Sequence, residues 1–428
     1  MRTKDTIIAF NKPEEITVAI TDTITELARE GARQMLARAI EDEVAQFLEL
    51  RRSELTENGS QRFVRNGHLP ERAVQTGIGD IQIQQPRVRD RNADKSDGLH
   101  FTPSIFPPYI RRTKSLDALL PVLYLRGIST GDFKAALAPM LGEDAKNVSP
   151  NVISRLKAAW EEEYHSWNKR DLSKERYVYW WADGIYLQAR MEDGKDCVLV
   201  VIAVTDRGEK RLLAIEDGYR ESKDSWQTLI RSLKQRGLTQ APKVAVGDGA
   251  LGFWAAISEE FPQTRHQRCW VHKTCNVLDK MPKSLHGQAK EGIHEIWMAA
   301  TREAAEKAFD VFINKFSAKY PKATECLKKD RAELLTFYDF PAEHWKSLRT
   351  SNPIESTFST VRHRTRRSRG CFSRKTILTM VFKICQSSQE RWNRIHGFNL
   401  LAEVIRGVKF VDGIRETLHQ ATDQTVAA

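Results

Sequence analysis

Apolar residues recur in steps of three and four between 22 and 50, at Ile24, Leu27, Ala28, Met35, Ala39, Ile40, Val44, Phe47 and Leu48. That period predicts one long amphipathic helix, weakened at Gly31 and suited to packing or to dimerisation. The pattern then shortens. Residues 60–92 are punctuated by Gly and Pro around one alternating strand, GDIQIQQ, which predicts a small β element running into a basic loop. Across 127–163 the helical period returns twice, first capped near Ser129 or Thr130 and ending at Gly142, then restarting at Ser149-Pro150. Two helices about a short polar turn resemble a helix-turn-helix, and plain bundle packing produces the same pattern.

From 176 onward the period changes to that of strands. RYVYWWADGIYLQAR, CVLVVIAVTD and KRLLAIEDG read as three consecutive strands, the first two joined through MEDGKD, where Asp193-Gly194 signals a hairpin turn. A helix (SKDSWQTLIRSLKQRG), a short buried strand (KVAVGDG), a second helix (ALGFWAAISEEF) and TRHQRCWV follow. The order βββαβαβ predicts an α/β core of ribonuclease-H-like, retroviral-integrase-like fold. Residues 285–345 hold almost only helix formers at apolar helical spacing, an all-α insertion interrupting that core. The expected organisation is a mainly α-helical N-terminal DNA-binding region and a split core. Residues 1–115 form a helical and small β region for DNA binding or dimerisation, and 116–170 the helix-turn-helix-like region. The core occupies 171–284 and 346–428, on either side of the insertion.

Charge narrows the class of partner. Lys and Arg number 67 against 56 Asp and Glu, a formal charge of +11, and basic residues cluster at 362–375, Arg87–Arg91 and Arg111–Lys114. Clustered cations of this kind favour a polyanion such as nucleic acid. The six cysteines are scattered without a C-x-x-C pair, as expected for reduced thiols in the cytoplasm. The start MRTKDTIIAFNKPEE lacks a signal-peptide pattern, and the longest apolar run, CVLVVIAV, falls well short of the roughly 18 residues of a membrane span. A soluble, unexported protein with no membrane partner is expected.

Three acids stand out against this basic background. Asp183 lies in the first predicted strand of the core, Asp248 at the end of the fourth, and Glu355 on the helix after the insertion. Each has an ordinary explanation: Asp183-Gly184 as a hairpin turn, Asp248 as a helix cap, and Glu355 as half of a capping box with Asn352. In a ribonuclease-H-like sheet, however, the first and fourth strands are neighbours, so the two aspartates converge and a later helix can add the glutamate. Such oxygen ligands suit Mg²⁺ or Mn²⁺. Two ions about 3.5–4 Å apart serve in-line phosphoryl transfer. Arg362 and Arg366, about two and three helical turns beyond Glu355, would hold flanking phosphates; a solvated basic face is the alternative.

The stretches WADGIYLQAR, RGLTQAPKVAVGDGALGFWAAISEEFP, QRCWVHKTCNVL and RTSNPIESTFSTVRHRTRRSRGCF, with VRNGH, PRVRD and YLRGIST upstream, carry a resemblance. Over roughly residues 25–395 the chain resembles the Mutator-type bacterial insertion-sequence transposases, the insertion sequence 256 family. The resemblance implies a DDE transposase that binds double-stranded DNA at terminal inverted repeats, nicks it with water, and joins the freed 3′-hydroxyl to target DNA. It also implies a homodimer or higher oligomer in the bacterial cytoplasm, associated with the nucleoid. Carried over, the catalytic and metal-binding acids fall on Asp183, Asp248 and Glu355, and a Cys-x-x-His signature falls on Cys269 and His272. Ser351 and Pro353 around the Asn-x-x-Glu, and Cys275 where arginine is usual, depart from the commoner pattern. Arg362, Arg364, Arg366, Arg367 and Arg369 form the candidate DNA-binding set. His266, Cys269, His272 and Cys275 recur every third residue, which raises zinc as an alternative to Cys269 in the core and His272 orienting a phosphate or carboxylate. Trp345 is a candidate to stack on an unpaired base or to seat the insertion on the sheet. A DNA-binding descendant that no longer cuts, and a nuclease that only hydrolyses, share most of these features.

Overall fold

The computed structural model describes residues 23–92, 99, 101–107, 109–126, 128, 132–141, 150–188, 195–218, 220–368 and 373–416. The chain divides into two units, one up to Leu156 and one from Lys157 onward. The first contains α1 (Thr23–Leu50), β1 (Phe63–His68), β2 (Arg72–Thr76), β3 (Gly79–Ile83), β4 (Pro86–Asp90), α2 (Lys114–Leu125) and α3 (Phe133–Leu141). β2 pairs antiparallel with β3, and β1 with β4, so the one strand expected from GDIQIQQ is part of a set of four. Alternation turns Ile81 and Ile83 of β3 inward, where they join Val74, Phe106 and Ile40 of α1, with Ala32 and Leu36 alongside.

The covered stripe of α1 therefore runs through Ala32, Leu36, Ile40 and Val44, while Ile24, Leu27 and Met35 stay 74–75% exposed. This narrows the stripe read from the sequence. A 28-residue helix is about 42 Å long, and strands of five residues span only about 17 Å, so the hairpin shelters part of it. Leu116 and Leu120 of α2 pack with Leu137 of α3. The turn expected between α3 and the next helix, 142–149, lies outside the described residues, as does the hairpin turn at Asp193-Gly194.

α4 (Pro150–Asn168) starts at its proline, as expected, and lies mostly in the second unit. There β5 (Tyr177–Gln188), β6 (Lys195–Thr205), β7 (Lys210–Gly218), α5 (Lys223–Gln235), β8 (Val244–Gly247), α6 (Leu251–Glu260) and β9 (Arg265–Arg268) build a five-stranded sheet of order β7-β6-β5-β8-β9. β5, β6 and β7 are antiparallel neighbours; β8 and β9 run parallel to β5. This is a mixed α/β unit. One face, bearing Trp180, Ala182, Leu199 and Val201, is covered by Trp226, Leu229, Ile230 and Leu233 of α5 and by Phe253, Ala256 and Ile257 of α6.

The other face carries Tyr179 and Trp181. The Tyr179 hydroxyl bonds His344 Nδ1 at 2.8 Å, and Trp181 Nε1 donates to Ser347 O at 3.1 Å. After β9 come α7 (Trp270–Leu278), α8 (His286–Met298), α9 (Arg302–Phe316), α10 (Pro321–Lys328), α11 (Arg331–Leu334), α12 (Trp345–Leu348), α13 (Asn352–Ser368), α14 (Arg374–Gln389) and α15 (Leu401–Arg406). A short pair, β10 (Phe410–Val411) and β11 (Ile414–Arg415), follows. The stretch 285–345 is helical, as its period predicted. Among the described residues, no helix is long and apolar enough to cross a membrane.

Candidate active site

Strand register brings the two aspartates together. Trp181 of β5 is level with Val246 of β8, and two residues further along these parallel strands stand Asp183 and Asp248. Asp183 is therefore mid-strand, opposite Val200 of β6, which rules out the hairpin turn that Asp183-Gly184 could have formed. By alternation it shares the face of Tyr179 and Trp181. It is 7% exposed, and its Oδ1 accepts from Gly184 N at 2.8 Å. Burial first, and then the charges of Asp248 and Glu221, hold its pKa well above the usual carboxylate range.

Asp248 follows the end of β8, and its Oδ1 accepts from Ala250 N at 2.8 Å across Gly249. Ala250 is the N-cap of α6, so the aspartate shapes the turn into that helix without being its cap. Gly249 has φ +86°, and a Cβ there would overlap the Arg268 guanidinium.

Glu355 sits in the first turn of α13, where its backbone N–H donates to Ser351 O at 3.0 Å. Its side chain turns to α7 instead of back to Asn352. His272 Nε2 lies 2.9 Å from Glu355 Oε1, and Arg362 Nη1 lies 3.7 Å from Oε2. The other His272 nitrogen, Nδ1, is 3.4 Å from Ser351 Oγ, while Ser351 N and Oγ each donate to Cys269 Sγ at 3.3 Å. Cys269 is buried at the N-cap of α7, and its own N–H donates to Gly247 O at 2.9 Å. The Cys269–His272 step thus links the end of β8 to the start of α13. Cys269 first and Glu355 second raise His272 to about 11, and His272 is in turn the main cause of the lowered Glu355 pKa. Burial alone would raise the Cys269 thiol, but its bonds with His272 and Ser351 bring it below its ordinary value.

The structure adds a residue that motif reading missed. Glu221, just ahead of α5, has a carboxylate close to both aspartates, and burial with the Asp248 charge pushes it up to about 7. Two groups have donor atoms all within 4.8 Å of one another: Asp183, His272 and Glu355, and Asp183, Glu221 and Asp248. No short-range pattern marks Glu221 in the loop sequence GYRESKDS. The one local cue is Ser222, whose side chain caps α5 and so fixes where the preceding residue lies.

The remaining candidates separate. Trp345 is 8% exposed, donates from Nε1 to Phe340 O at 2.9 Å, and packs on Phe337 and Tyr338 at 5.3 and 4.8 Å, which is core seating. His266 stacks on Trp254 at 4.5 Å and Cys275 is exposed; neither joins a group of possible metal ligands among the described residues. Arg362 and His363 are exposed, but Arg364 is 4% exposed, so it does not share their surface. The side chains of Arg366 and Arg367, and all of Arg369, lie outside the described residues.

The profile described as "Transposase, Mutator family" matches residues 2–395. The chain is 50% identical over 293 residues to the transposase for insertion sequence element IST2 of Acidithiobacillus ferrooxidans, 68% of this chain and 99% of that protein. It is 47% identical over 310 residues to the transposase for insertion sequence element IS6120 of Mycolicibacterium smegmatis, covering 72% and 95% of the two chains. Against the transposase for insertion sequence element IS256 in transposon Tn4001 of Staphylococcus aureus it is 28% identical over 359 residues, 82% and 88% of the respective lengths. A match of this extent, running through the strands and helices that carry the acids, places the chain in the Mutator family of transposases.

Proposed function

We propose that this chain is a DDE transposase with a ribonuclease-H-like catalytic unit, which cleaves DNA at the inverted-repeat ends of an insertion sequence and joins the freed ends to target DNA. The observation that carries the reading is the convergence of Asp183 and Asp248, on neighbouring parallel strands, with the donor atoms of Glu355 reaching Asp183 from α13. A donor set dominated by carboxylates, with Asp183 deeply buried among Asp248, Glu221 and Glu355 and His272 as its one nearby imidazole, fits Mg²⁺ or Mn²⁺. When bound, a pair of such ions would activate the attacking oxygen and stabilise the leaving one.

The protein's own groups divide the remaining work. Asp183 and Asp248 are held in place by β5 and by the Asp248–Ala250 turn. His272, protonated at neutral pH, fixes one oxygen of Glu355 and leaves the other facing Arg362. Arg362 would meet a phosphate next to the cut. Two ends of one element must be handled together, so the working form is a dimer or higher assembly.

The test uses purified protein and a plasmid carrying the element between its native flanks. Mg²⁺-dependent nicks at the element's ends and new junctions in which a 3′-end is joined to another strand are expected. Cut ends without junctions would instead indicate a hydrolytic nuclease, and binding without cutting a DNA-binding descendant.

A further inference from the structure

We propose that Glu221 is a fourth metal-binding carboxylate of this site, holding one divalent cation together with Asp183 and Asp248 while Asp183 and Glu355 hold the other. The proposal rests on the metal-dependent reading above and concerns a residue outside the triad. β8 ends at Gly247, so beyond Trp181 the edge of β5 on that side has no strand partner. Glu221 enters through this opening from the face covered by α5 and α6. Its Oε1 would lie 2.5 Å from a Cβ on Gly184, a residue that alternation points to that face. Gly252, at the start of α6, lets the Glu221 carbonyl approach so closely that a Cβ there would overlap it. Two glycines therefore make room for the carboxylate and for its backbone.

Glu221 and Glu355 thus flank Asp183 from opposite faces of the sheet, and the two ligand groups share Asp183 as their common member. A carboxylate common to two donor sets suits a pair of adjacent ions. The burial of Asp183 itself bears on the same point. It is more than nine-tenths buried, and among the described residues its carboxylate receives one hydrogen bond, from the adjacent Gly184 N–H, and no salt bridge. Three further carboxylates, Asp248, Glu221 and Glu355, crowd this buried group against the single imidazole of His272, and so many like charges in one place are costly without a further cation. Glu221 likewise makes no salt bridge among the described residues; neighbouring Lys223 pairs with Glu259 instead.

Mn²⁺ binding to the full-length protein, followed by the loss of the free-ion resonance signal, tests this directly, with thermal unfolding in chelator as the control for folding. Glu221→Gln is expected to weaken binding of at least one Mn²⁺ by about tenfold or more, and to leave the metal-free melting temperature unchanged or raised. Unchanged Mn²⁺ binding in Glu221→Gln, with binding lost in Asp183→Asn, would overturn the role of Glu221 and leave the metal reading standing. Wild-type binding in both variants would overturn the two together. Should Glu221→Gln melt lower in chelator, Gly184→Ala supplies the same test, because it displaces the carboxylate without removing it. Weaker Mn²⁺ binding there supports the assignment and unaltered binding contradicts it.

Discussion

At the scale of single residues the site is built against stability. Asp183 occupies a strand position whose face neighbours are Tyr179 and Trp181, and its raised pKa marks a carboxyl whose charge is disfavoured in a dry, acidic place. Asp183→Asn keeps the acceptor for Gly184 N–H and removes that charge. It should therefore raise stability in chelator by about 0.5–2 kcal/mol while removing function. A lower melting temperature would show that the carboxylate is compensated in some other way. Gly249 makes the converse case. Its left-handed backbone costs an alanine about 1–2 kcal/mol, and the Arg268 guanidinium must also move. Gly249→Ala should therefore destabilise the protein and misplace Asp248, and unaltered thermal unfolding would contradict that. The candidates Asp183 and Glu355 were legible in the sequence because they sit in a recognisable strand and helix, and Asp248 because it directly follows a strand. Glu221 was not, because a glutamate before a serine cap is ordinary and only the tertiary approach through Gly184 and Gly252 makes it special.

At the scale of elements, α13 shows how one helix serves two purposes. Ile354, Phe358 and Val361 form its buried stripe, and Arg364 is the next position along that stripe. The stripe was present in the sequence, but the dense run of basic residues obscured which of them turned inward. The long period of the insertion and the strand order were legible because burial repeats over many residues. The exposed end of α1 was not, since its period says nothing about how far a partner extends. Trp345 belongs to α12 and its packing, so Trp345→Ala should cost about 3–5 kcal/mol in unfolding free energy. Loss of strand joining with stability intact would restore a base-stacking role. His344, ahead of α12, accepts from the Tyr179 hydroxyl and donates from Nε2 to Gly397 O at 2.9 Å. Burial lowers its pKa from 6.5, so the unfolded chain takes up this proton first and stability falls as pH drops below that value. His344→Gln should flatten the melting-temperature profile between about pH 7 and 5, and an unchanged slope would contradict a buried neutral imidazole there.

At the scale of the whole molecule, an acidic site has to operate on a polyanion. The formal charge of +11 favours a polyanion in general, and on the proposed reading local cations would position the DNA at the acids. If Arg362 contacts one phosphate, Arg362→Ala should weaken DNA binding and reduce the slope of log affinity against log salt by about 0.9. An identical slope would return Arg362 to the solvated face and to its pairing with Glu355. Carboxylate-dependent cutting is tested by comparing wild type with Asp183→Asn, Asp248→Asn and Glu355→Gln on end DNA, scoring binding and Mg²⁺-dependent strand cleavage in the same samples. Each substitution is expected to abolish cleavage while binding stays near the wild-type level. Near-normal cleavage by any one of the three would remove that residue from the site and contradict the three-carboxylate mechanism.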